Sequence, residues 1–192
     1  MKVLPFNKPT WAPFSVLISL GTPTTLEQAL RVAAPSHNVE TASPADGYGL
    51  SIQSRGAWTW LSESEFDPVD CFLTDEVAES IIGLMAVNGA YIAHNPDNGL
   101  LAVSIYELGR RRFAWCESDE GGPQYARLFK DSGFAHDDCP IDFAVRWMNL
   151  TDAHVIDRYS FVRRLLRSHD INFHPRYLRE APSPSVFFDY CS

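Results

Sequence analysis

The sequence lacks the motifs of the commonest enzyme classes. Its 192 residues contain no G-x-x-x-x-G-K-[ST] or G-x-G-x-x-G phosphate loop, no H-E-x-x-H pair and no G-x-S-x-G elbow. The longest apolar stretch, residues 81–87, has seven residues, whereas a membrane-spanning helix needs about 20. The absent motifs therefore disfavour nucleotide hydrolases and the other common classes of hydrolase. The short apolar stretch predicts no contact with a membrane.

Cysteines are few, and no two of them have C-x-x-C spacing. A disulfide-stapled secreted domain would carry more cysteines, and a structural zinc site would pair them closely. We therefore expect free, mostly buried thiols in a reducing compartment at Cys71, Cys116 and Cys139, and an exposed thiol at Cys191. Prolines and polar residues at positions 5–9 interrupt any signal-peptide core, so the predicted location is the cytoplasm.

Basic residues are also in the minority, with 16 Lys and Arg against 24 Asp and Glu and a net charge of −8. The imbalance is concentrated in residues 9–109, where Arg31 and Arg55 are the only cations. Binding to nucleic acid needs a sizeable positive surface, so the charge disfavours it. The acidic N-terminal half instead favours a basic protein partner, because opposite charges attract and increase the rate of association.

Aromatic residues are abundant, at 12% of the chain, which excludes a disordered polar chain and predicts a single folded domain over residues 1–192. A strand is predicted at 14–20 and a helix at 25–34, which Thr24 and Glu27 would cap. Thr74 is predicted to cap a second helix. The stripe of apolar residues that this second helix would bury consists of Val77, Ile81, Leu84 and Met85.

Each of these helices is followed by three predicted strands. The first three lie near 37–43, 48–54 and 56–62, and the second three at 90–94, 100–106 and 111–116, with a turn at Leu108-Gly109. The repeated order suggests a doubled helix-plus-three-strand unit, with sub-units at 14–62 and 74–116.

The C-terminal third is predicted to be a helical sub-unit over 123–172. Its helices would lie near 125–129, from Pro140 onward, and at 155–166, and the tail after Phe173 would be irregular. The predicted fold class is therefore α+β: a mixed or antiparallel sheet packed by helices, with a helical C-terminal third.

Cysteine and histidine chemistry supplies the enzymatic alternative. Residues 136–139 (His-Asp-Asp-Cys) are of metal-binding types, but adjacent residues rarely converge on one ion, and a cap for the helix at Pro140 explains them better. A cysteine-dependent hydrolase would use Cys139 as nucleophile and His154 or His169 as base. A regulatory subunit of a larger assembly is a further alternative. We predict no metal, no cofactor and no catalytic residue, and no oligomeric state follows from the sequence.

Two arginine clusters are predicted to be solvated or paired within the chain. One is Arg110, Arg111 and Arg112, with Glu107 and Glu117 as nearby partners. The other is the face formed by Arg163, Arg164 and Arg167, which the acidic half of the protein would neutralise.

The strongest functional indication is a group of carboxylates beside large aromatic residues. Interfaces combine aromatic anchors with complementary charge. The group lies on a predicted strand and the acidic loop that follows it, so we predict a partner-binding surface made of Trp58, Trp60, Glu63, Glu65, Phe66, Asp67 and Asp70.

A compact, acidic, aromatic-rich chain of this size resembles a bacterial immunity protein. The resemblance lies in the size, net charge and aromatic-rich composition of the whole chain, and no residue-by-residue motif supports it. It implies a cytoplasmic, non-enzymatic protein that binds a cognate antibacterial toxin and blocks its active site. A basic cleft on that toxin would suit the negative charge of this chain.

Overall fold

The computed structural model describes residues 13–34, 38–41, 49–63, 71–95, 97, 100–117, 125–130, 133–138, 158–178 and 186–191. Ten strands form one sheet in the order β2-β10-β3-β4-β1-β5-β6-β7-β8-β9, and every neighbouring pair is antiparallel. The strands are β1 Phe14–Leu20, β2 Asn38–Thr41, β3 Leu50–Arg55, β4 Trp58–Glu63, β5 Gly89–Asn95, β6 Leu100–Glu107, β7 Arg110–Glu117, β8 Tyr125–Lys130, β9 Gly133–Asp138 and β10 Val186–Cys191.

In the described ranges, three helices of eleven residues cover this sheet: α1 Pro23–Ala33, α2 Asp75–Met85 and α3 Arg158–Ser168. A short 3₁₀ helix, Pro175–Leu178, follows α3. The predicted α+β class with an antiparallel sheet packed by helices is confirmed. No helix in the described part combines the length and apolar character needed to cross a membrane.

Central strand β1 is buried on both sides because helices lie on both faces of the sheet. Successive side chains of a strand alternate between its faces. Phe14, Val16 and Ile18 pack on the face that α3 covers, which we call the front face. Leu17 packs on the opposite, back face, which α1 and α2 cover.

Helix α1 begins two residues earlier than predicted. Pro23 takes the first helical position, where its missing N–H costs nothing. The hydroxyl of Thr22 accepts from the N–H of Thr25, and the hydroxyl of Thr25 accepts from the N–H of Thr22. The capping box therefore uses Thr22 and Thr25, and the prediction of Thr24 with Glu27 is wrong.

Helix α2 begins as predicted, with the hydroxyl of Thr74 accepting from the N–H of Val77 at 3.3 Å. The buried stripe is displaced from the predicted one, because Ala78, Ile81 and Ile82 are its buried residues. Leu84 is exposed, so its assignment to the core is wrong. The helix ends at Ala86, whose φ of 53° is left-handed.

In the described part of the C-terminal third, two strands lie where the sequence predicts helical structure. Residues 125–130 and 133–138 are strands, because the open edge of β7 supplies a ladder partner for β8 and β8 supplies one for β9. The tail after Phe173 is also more regular than predicted, because residues 186–191 pair with both β2 and β3. Helix α3 confirms the predicted helix near 155–166. The predicted helix from Pro140 lies outside the described residues.

The order of one helix followed by three strands occurs twice, as α1-β2-β3-β4 and as α2-β5-β6-β7. The two sets are arranged differently in the sheet. Strands β5, β6 and β7 are consecutive neighbours, whereas β10 separates β2 from β3. Both sets belong to the same sheet, so the predicted sub-units 14–62 and 74–116 are parts of one continuous layer.

Candidate partner-binding surfaces

Glu63 was predicted to lie in an exposed acidic loop, but it is the last residue of β4 and only 4% exposed. The strand continues this far because Glu63 pairs with Ser15 on one side and Leu50 on the other. Its carboxylate accepts the N–H of Phe72 at 2.9 Å and the N–H of Leu73 at 3.2 Å. Glu63 therefore fastens the segment before α2 to the sheet, and its assignment to the partner-facing surface is wrong.

Trp60 is also a core residue, with 2% of its surface exposed. Its indole Nε1 donates to Oε1 of Gln53 at 3.0 Å, and its ring stacks against Tyr177 at a centroid distance of 6.1 Å. A buried Trp keeps its N–H partnered in this way. The prediction that Trp60 contacts a partner is wrong, because the sheet and the 3₁₀ helix enclose the ring.

Trp58 shares the front face with Trp60, as predicted, and is only half-buried. It lies directly opposite Arg55 across the β3–β4 hairpin. The guanidinium of Arg55 lies 4.5 Å from the ring centroid of Tyr177, a cation–π distance. Trp58 thus belongs to a partly exposed group of Trp, Arg and Tyr, the residue types enriched in binding hot spots.

The predicted surface residues do not form one surface in the structure. Trp58 opposes Leu20 at the end of β1, whereas Glu63 opposes Ser15 at its beginning. The two ends of β4 are separated by about 17 Å at 3.3 Å per residue. Glu65, Phe66, Asp67 and Asp70 lie outside the described residues, in the segment that follows Glu63.

Hydroxyl groups complete the attachment of the segment before α2. The carbonyl oxygen of Leu73 accepts from Ser15 Oγ at 2.7 Å and from the Tyr91 hydroxyl at 2.9 Å. Burial raises the pKa of Tyr91, so this hydroxyl remains a donor. The thiol of Cys71, at the start of the segment, is half-buried. The contacts hold backbone in place, which is a structural role.

A second polar network attaches α2 to β6 and β7. Asp75 Oδ1 accepts from Ser104 Oγ at 2.8 Å and from the Tyr106 hydroxyl at 2.9 Å. Arg111 forms ion pairs with Asp75, at 3.0 Å, and with Glu79. Burial, and next the charge of Asp75, raise the pKa of Tyr106.

These contacts confirm intramolecular pairing for two members of the first arginine cluster. Arg111 pairs with the two carboxylates of α2, and Arg112 pairs with Glu107 at 3.3 Å. Glu107 also lies 3.4 Å from Nδ1 of His169. Burial lowers the pKa of His169, and the neighbouring carboxylate opposes that effect.

The residues of the enzymatic alternative are only partly described. Cys139 and His154 lie outside the described residues, and His169 has Glu107 as its neighbour. Within the described ranges, no group of three or more His, Cys, Asp or Glu side chains is placed to hold a metal ion. Cys116 is exposed, in contrast to the burial predicted for it.

An exposed apolar surface, absent from the sequence predictions, lies at the Trp58 end of the sheet. Among the described residues, three large apolar side chains are exposed: Val32 by 63%, Leu84 by 54% and Leu108 by 73%. We call these three residues the apolar strip. Val32 and Leu84 line a groove of about 530 Å³ between α1 and the end of α2, together with Leu20, Gly21, Thr22, Thr25, Gln28, Ala29, Met85 and Val87.

Leu108 lies on the β6–β7 turn, which contacts the end of α2 through its next residue. Gly109, the next residue, packs against Gly83 and Ala86 in the last turn of α2, beside Leu84. Single exposed apolar residues are ordinary on protein surfaces, but adjoining ones mark interaction sites. The strip and its groove are therefore the best candidate contact surface among the described residues.

Comparison with known proteins adds no identity: no family model matches the chain, and neither a curated protein nor a solved structure is significantly similar to it.

Proposed function

We propose that this chain is a non-enzymatic binding protein of the immunity type, which neutralises a protein toxin by covering its active site. The observation that supports the proposal is the apolar strip of Val32, Leu84 and Leu108 beside an open groove. Exposure of large apolar side chains is unfavourable for an isolated chain, and Val32 and Leu84 line the same groove. A partner that covers them removes this cost.

The half-buried Trp58 and the exposed Arg55 lie at the same end of the sheet as the groove, because Leu20, which lines the groove, is the cross-strand neighbour of Trp58. Trp58 packs on the front face, whereas α1 and α2, which form the groove, cover the back face. The proposed contact surface is therefore the groove and the apolar side chains around it, and Trp58 and Arg55 are not part of it.

The net charge of −8 has a separate role in this proposal. Charge outside the contact surface changes the rate of encounter more than the strength of the final complex. Glu65, Asp67 and Asp70 follow Glu63 in the sequence. We assign them to long-range attraction of a basic partner, and we assign the short-range contacts to the apolar strip.

The test uses the protein encoded by the neighbouring reading frame as the candidate toxin. Its binding would be measured by surface plasmon resonance for the wild type and for two variants. The double substitution Val32→Ser and Leu84→Ser is expected to accelerate dissociation and weaken binding at least about tenfold. The triple substitution Glu65→Lys, Asp67→Lys and Asp70→Lys is expected to slow association and flatten its salt dependence.

Inhibition separates an immunity protein from other binding proteins. Co-expression with the candidate toxin is expected to restore growth, and the Val32→Ser and Leu84→Ser variant is expected to protect less well. Binding without protection would favour a regulatory subunit. Absence of binding to that protein would refute the proposal that it is the cognate toxin and with it the assigned contact surface.

A further inference from the structure

We draw no further inference here: the strongest candidate, the apolar groove between α1 and the end of α2 that Val32 and Leu84 line, belongs to the contact surface already described, and nothing in the structure shows what covers it.

Discussion

The carboxylate of Glu63 accepts the backbone N–H of Phe72 at 2.9 Å, which fastens the residues just before α2 to the end of β4. The other carboxylate oxygen accepts from Leu73. Two N–H groups are thereby satisfied by one buried anion, and the N-terminal end of α2 is fixed relative to β1 and β4. A residue that the sequence assigns to a partner instead organises the fold.

Replacement of Glu63 should therefore destabilise the protein. Glu63→Ala leaves two buried N–H groups without this acceptor, so we expect the free energy of unfolding to fall by about 2–4 kcal/mol. Urea denaturation measures the loss, and amide hydrogen exchange should be faster at Phe72 and Leu73. Ser54→Ala, at an exposed position on β3, is the control and should change stability by less than about 0.5 kcal/mol. Equal stability of Glu63→Ala and wild type would contradict the assigned role.

The two neighbouring tryptophans of β4 should respond differently to the same substitution. Trp60→Phe removes the donor to Gln53 and leaves a small cavity, so we expect a loss of about 1–3 kcal/mol. Trp58→Phe, at a half-buried position, should cost less than Trp60→Phe. Chemical denaturation of both variants compares them directly, and a larger loss for Trp58→Phe would show that the burial of the two rings is reversed.

The ion pair between Asp75 and Arg111 should contribute more than the exposed pair on α1. A double-mutant cycle with Asp75→Asn and Arg111→Met is expected to give a coupling energy of about 1–2 kcal/mol, because the pair is partly buried and shares hydrogen bonds with Tyr106. Glu27 and Arg31, 3.0 Å apart on the surface of α1, provide the matched control, for which about 0.3–0.5 kcal/mol is expected. Similar coupling energies in the two cycles would contradict this assignment.

His169 should make stability depend on pH in a defined direction. Burial lowers the pKa of the folded-state imidazole below its ordinary value of 6.5, so the unfolded chain binds more protons near that pH. Stability should therefore decline as pH falls through about 6.5, and remain steady above it with respect to this residue. Urea denaturation between pH 7.5 and 5.5 measures the decline. His169→Gln should reduce it, and an unchanged profile in that variant would assign the decline to other groups.

Local chemistry accounts for the elements that the sequence predicts correctly. Strand β1 follows from its dense apolar and β-branched residues, α2 from the Thr74 cap, and the β6–β7 turn from Leu108-Gly109. The start of α1 differs because Pro23 can occupy the first turn of a helix, which moves the cap to Thr22. The free energies of two such alternative helix caps differ by a few tenths of a kcal/mol to about 1 kcal/mol.

Long-range pairing accounts for most of the remaining errors. Residues 125–130 carry apolar side chains at spacings compatible with either a helix or a strand, and the edge of β7 decides between them. Trp60 and Glu63 are buried by elements distant in sequence, the 3₁₀ helix at Pro175 and the segment before α2. The apolar strip was missed for the same reason. Its one local sign is a leucine at a turn position that usually holds asparagine or glycine.

The place of β10 in the sheet has a consequence for biosynthesis. Strand β2 leaves the ribosome early, yet its neighbour in the described sheet is β10, the last described strand in the chain. Until residues 186–191 emerge, β2 lacks this ladder and the outer edge of β3 is bare. An uncovered edge can recruit other chains, and contacts between such distant residues form slowly. A nascent chain stalled before Val186 is therefore expected to keep this part of the sheet unpaired until the last described strand is made.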